Sequence, residues 1–134
     1  MSSDPLDQLI LQMENYLECW KQFNSCLNLA RSKKFNADDE SQFLEIKSVM
    51  TQELELILAA VEFESPTKDD IYSLISNAPS LRYMSELNEG SLRGVENQWH
   101  KIFIAWQSNL GQLKVKQREA GSKSGWFSFF TKKN

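Results

Sequence analysis

Residues 4–33 read DPLDQLILQMENYLECWKQFNSCLNLARSK, and this stretch decides the fold. With Leu6 at position a of a seven-residue repeat, the a series is Leu6, Met13, Trp20 and Leu27. The d series is Leu9, Tyr16, Phe23 and Ala30, and Ile10 and Leu17 widen the stripe at e. A stripe that covers a, d and e belongs to a helix buried by several neighbours, not to a two-stranded seam. Asp4 is placed to cap this helix and Pro5 to occupy its first position, where a missing N–H costs nothing; the pattern runs to about Lys33. The next e position is Asn24, polar where an apolar residue is due.

Working outward, residues 35–39 break the pattern, and Asn36 or Asp38 is suited to cap a second helix ending near Glu62 or Phe63. Phe43, Ile46, Met50, Leu54, Ile57 and Val61 form its apolar face, with Glu45, Gln52, Glu55 and Glu62 mainly opposite. Ser65 and Pro66 close it. A short helix follows from Thr67 through Ile71, Leu74 and Ile75 until Pro79, then another short turn or helix within residues 80–88 carrying Leu81, Met84 and Leu87. Residues 89–91 read as the break before the last long helix. Its stripe from Leu92 is Val95, Trp99, Ile102, Trp106 and Leu113, with Phe103 and Leu110 alongside, and it reaches about Ala120.

The chain has 134 residues, 41% of them apolar, which suits one domain able to bury a core without disulfides or a structural metal. The expected fold is all-α: an up-and-down bundle of about four helices over residues 1–120, its third helical segment short or broken. A flexible Gly/Ser connector and an aromatic/basic docking tail are expected over residues 121–134. Asn109 interrupts the last stripe as Asn24 interrupts the first, and the two amides are candidates to face each other in the core. Gly111 is a candidate for close approach of a neighbouring helix or a bound peptide.

Charge divides the chain. Residues 1–113 hold 9 Lys/Arg against 17 Asp/Glu, a net of −8, whereas residues 114–134 hold 6 against 1, a net of +5. An acidic body argues against broad nucleic-acid binding, which needs clustered cations for phosphate contacts. The longest apolar run is the six residues 56–61 and the first twelve residues have no basic start, so neither a signal peptide nor a transmembrane helix is expected. Cys19 and Cys26 sit seven residues apart, about 10.5 Å along a helix and beyond the ~7 Å reach of a disulfide, which predicts reduced thiols in a cytoplasmic protein.

Catalytic apparatus is hard to find. His100 is the single histidine, with Glu96 one turn before it, a pair that on its own falls short of the Glu-x-x-His sets of carboxylate metal bundles. Asp38, Asp39, Asp69 and Asp70 sit at helix starts, where capping explains them. Neither a cofactor nor a metal is expected, and no residue is assigned a catalytic role.

The leading expectation is a non-enzymatic helical-bundle adaptor whose tail docks on a protein partner. Trp126, Phe127, Phe129 and Phe130 would be its anchors, because aromatic rings supply large contact area for little side-chain entropy, and Lys132 and Lys133 would meet an acidic rim. Other readings stand beside it. The tail could fold back on the acidic body and support stability or a homo-oligomer; it could touch a membrane surface weakly, giving a peripheral location. The bundle could act as a small secretion or export chaperone holding a client, and a ligand- or metal-binding enzyme at Glu96 and His100 is the minority reading.

Overall fold

The structure is a computed structural model describing residues 4–133, with side chains from residue 4 to 121. Among the described residues the chain is all helix and loop: α1 (Pro5–Ser32), α2 (Ala37–Ala60), α3 (Lys68–Asn77), α4 (Leu81–Ser85) and α5 (Glu89–Lys133). Each start has a local cause. The Asp4 carboxylate accepts the Leu6 N–H at 2.9 Å with Pro5 just inside α1. Asn36 and Asp39 form a reciprocal capping box at α2, Thr67 and Asp70 form another at α3, and Ser80 accepts the Tyr83 N–H at α4.

Helix ends are less regular. α1 closes on Lys33 in the left-handed conformation, φ 59°, a geometry usually given to glycine. α2 stops at Ala60, two or three residues short of expectation, because Val61 turns to extended backbone and sends Phe63 inward against Trp106, ring centroids 5.7 Å apart. α5 begins at Glu89, three residues before Leu92. Asn88 accepts the Ser91 N–H at 2.7 Å, so residues 89–91 form a first helical turn instead of a break.

The long helices are arranged up, down and down around α1. Phe23 meets Phe43 and the Tyr16 hydroxyl reaches the Met50 carbonyl, so α2 is antiparallel to α1. Arg31 with Glu96, Trp20 with Trp99, and Glu14 with Lys114 make α5 antiparallel to α1 as well. α3 and α4 together supply the return layer, interrupted where Pro79 cannot donate a helical hydrogen bond. Glu40 of α2 spans that junction: its two oxygens accept the Leu81 and Arg82 N–H groups at 2.8 and 3.1 Å, while Lys47 donates to the Pro79 carbonyl.

The core follows the stripes. Met13, Trp20, Phe23, Leu27 and Ala30 of α1 are fully buried, and Phe43, Met50, Leu54 and Ile57 of α2 join Ile71, Leu74, Leu81, Met84 and Trp106 around them. Full burial of each large apolar side chain contributes about 1.5–3 kcal/mol, so this cluster dominates stability. Tyr16 stands at its centre, meeting the Trp20 and Trp106 rings edge-on at 6.2 and 5.3 Å, the orientation that ring quadrupoles favour. Its hydroxyl donates to Met50 at 2.8 Å, and burial pushes its ionisation well above the ordinary tyrosine range.

Candidate docking interface

The distal half of α5 differs from every other helix. Leu113 is its last buried residue among those described; residues 114–121 are exposed without exception. Among the described contacts of this stretch with α1 are the Lys114–Glu14 ion pair at 2.9 Å and a hydrogen bond from Gln117 to Asp7 near the start of α1. α5 runs on from there to Lys133.

The connector and tail expected over residues 121–134 lie, from residue 122 on, outside the residues whose side chains are described, and with them Trp126, Phe127, Phe129, Phe130, Lys132 and Lys133. What is described is the stem that carries them: Lys114, Lys116 and Arg118, all exposed, with Val115 46% exposed between the first two.

A shallow cleft of about 390 Å³ opens between α1 and α5 beside that stem. Its floor is Leu17, Phe103 and Leu110, and its rim carries the ion pairs Glu14–Lys114 and Glu18–Lys21. Gly111 lines this cleft with open space where a Cβ would stand, which corrects the expectation of a close helix approach there.

Glu96 and His100 are not brought together as a ligand pair. Arg31 grips the Glu96 carboxylate with both Nη atoms at 2.6 Å, and Glu89 adds a longer contact at 3.3 Å. The bidentate bond holds the Glu96 carboxyl below the ordinary carboxylate range and raises the Arg31 guanidinium in turn. His100 is exposed on the next turn, its ring stacked at 6.3 Å from that of Trp99. Among the described residues no group of three or more His, Cys, Asp or Glu is placed to hold a metal ion.

The two asparagines do not pair. Asn109 is buried and donates to the Ser65 carbonyl at 2.8 Å, tying α5 to the α2–α3 loop; Asn24 is half-buried. Antiparallel registration explains this: Trp106 is level with Tyr16, so Asn109 is level with Met13 and Asn24 lies about three turns further along α1, about 16 Å away. Both cysteines are free thiols, Cys26 buried and Cys19 half-buried, and burial pushes each thiol above its ordinary ionisation range. Asp39 and Asp70 serve as capping residues, as their positions imply. No described helix is long and apolar enough to cross a membrane. No protein-family model, no curated protein and no solved structure matches this chain.

Proposed function

We propose that the chain is a non-enzymatic interaction module, a rigid helical body that carries a docking element at the C-terminal end of α5. The observation that supports this most is the projection of α5 past the start of α1. A helix that leaves its bundle gives up tertiary burial, and short helices lacking such burial are marginal in water. Four aromatic residues at the far end then make sense as contacts for something other than the body. The anchors are Trp126, Phe127, Phe129 and Phe130, with Lys132 and Lys133 as complementary charge.

Two occupants have the matching chemistry: a groove edged by carboxylates on a protein partner, and the anionic boundary of a bilayer. A tail folded back on its own body fits less well with a stem directed away from it. The α1–α5 cleft is shallow and its rim charges are already paired, which disfavours a client-holding bundle. The Glu96 carboxylate is likewise committed to Arg31.

The test is a comparison of the intact chain with a variant carrying alanine at positions 126, 127, 129 and 130, both verified as equally helical and equally stable. Association with cell components, soluble and membrane fractions together, should depend on those four residues. Equal retention by both proteins would sink the reading and return attention to the bundle surface.

A further inference from the structure

We infer that the loop between α2 and α3 floors a groove that receives residues 122–134 of a second copy of this chain, joining molecules head to tail. This rests on the reading that the C-terminal segment is the docking element, and it names the partner. Every residue of the groove itself has a described side chain.

The shape of the loop makes the groove. Beyond α2 the backbone turns extended at Val61, φ −156° and ψ 148°, and Phe63 goes inward to Trp106 while Glu62 and Glu64 stay exposed. A shallow hollow opens on each side of this segment. One, of about 420 Å³, faces α5 and is walled by Ser108 and Asn109; the other, of about 490 Å³, faces α2 and is walled by Leu58 and Lys68. Glu62, Phe63 and Glu64 line both hollows, which makes them parts of one groove. Phe63 and Leu58 are half-buried, each packed on the core with some apolar surface left over for a ligand.

The rim has uncompensated charge. Among the described residues neither Glu62 nor Glu64 enters an ion pair, whereas Glu14, Glu18, Glu55 and Glu96 all do. Lys68, the cation on the same rim, is held by Glu55 at 2.9 Å. An apolar floor between free carboxylates calls for a segment that is aromatic and basic, and residues 122–134 contain four aromatic residues, three lysines and no acid. Within one molecule the groove lies beside Asn109, and α5 carries the chain about 18 Å onward by Gly121. The segment thus begins well past its own groove, and a second copy offers the same groove without the chain having to reverse.

A buried amide supplies a further recognition point. Asn109 is 7% exposed and lines the α5 side of the groove. Its Nδ2 donates to the Ser65 carbonyl at 2.8 Å, and among the described hydrogen bonds its Oδ1 accepts none. An acceptor left open at a buried site costs free energy that an entering donor recovers. The segment brings lysine ammonium groups and the Trp126 indole N–H, both of them donors.

The experiment is sedimentation velocity of the full-length chain over about 5–500 μM, with circular dichroism to verify that each variant keeps its fold. Mass should rise with concentration, and the association constant should fall at least fivefold between about 0.05 and 0.5 M salt. A groove variant, Glu62→Gln with Glu64→Gln, should weaken association at least fivefold, and a segment variant with alanine at positions 126, 127, 129 and 130 should abolish it. The decisive measurement mixes the two variants. The first retains a working segment and the second a working groove, so the mixture should form one-to-one dimers that neither protein forms alone at the same concentration.

A parent chain that stays monomeric throughout overturns the inference, as does a groove variant that associates like the parent or a mixture that fails to pair. A monomer in which residues 122–134 resist protease would put the segment in its own groove, and overturns it too. Where self-association fails but cell components are still lost from the alanine variant, the docking reading stands with a different partner; where both fail, the docking reading falls as well.

Discussion

The guanidinium of Arg31 and the carboxylate of Glu96 meet in a parallel fork, two N–H···O bonds of 2.6 Å joining the last turn of α1 to the second turn of α5. Both side chains are partly shielded, 32% and 25% exposed, so the pair is neither a freely solvated surface contact nor a fully buried one.

Glu96→Gln should cost about 1–2 kcal/mol at neutral pH, read from urea unfolding. The pH dependence has a definite sign. The Glu96 carboxyl titrates lower in the folded chain than in the unfolded one, so its stabilisation is present above the unfolded value of about 4.3 and disappears as pH falls through the depressed folded value. The parent should therefore lose stability faster than the variant between about pH 5 and 3. Parallel acid profiles would show that the fork contributes nothing.

The five residues of α4 are too few to hold a helix by propensity alone. Glu40 supplies acceptors for two of its unsatisfied N–H groups, and a carboxylate at a helix start is favoured by the dipole. Glu40→Ala should destabilise the chain by about 1–2 kcal/mol, and hydrogen exchange should speed up at Leu81 and Arg82 before any other core segment.

Lys33 holds a left-handed backbone that strains an L side chain. Lys33→Gly should stabilise by about 0.5–1 kcal/mol, since the relief of strain exceeds the added freedom of the unfolded chain. A lower urea midpoint for the variant would contradict this.

Asn109→Ala removes the bond that ties the Ser65 carbonyl to α5 and should cost about 1 kcal/mol. The clearer readout is limited proteolysis: cleavage within residues 61–67 should quicken relative to the rest of the body.

Most of the fold could be read from local chemistry. Asp4 with Pro5, Asn36 with Asp39, and Thr67 with Asp70 announce helix starts through neighbours three residues apart or fewer, and the stripes of α1 and α5 identify the core. What escaped is non-local. Glu40 reads as one more acid in a first turn until a partner 41 residues later comes beside it. Glu96 was weighed with His100 because both lie on one helix, whereas its bond is to a residue 65 positions earlier. Periodicity reports which face of a helix is buried and says nothing about which residue waits opposite. Residues 89–91 read as a break in the sequence, yet Asn88 and Ser91 have the spacing of a cap.

Because one continuous helix holds Trp99 and Trp106 in the core and also carries the exposed residues 114–121, that exposed stretch and the core move as one piece. A load applied to that exposed stretch runs along the α5 axis and reaches α1 as shear, shared among Gln117–Asp7, Lys114–Glu14 and Arg31–Glu96 at once. Strain in residues 114–121 is therefore felt at the aromatic centre of the bundle.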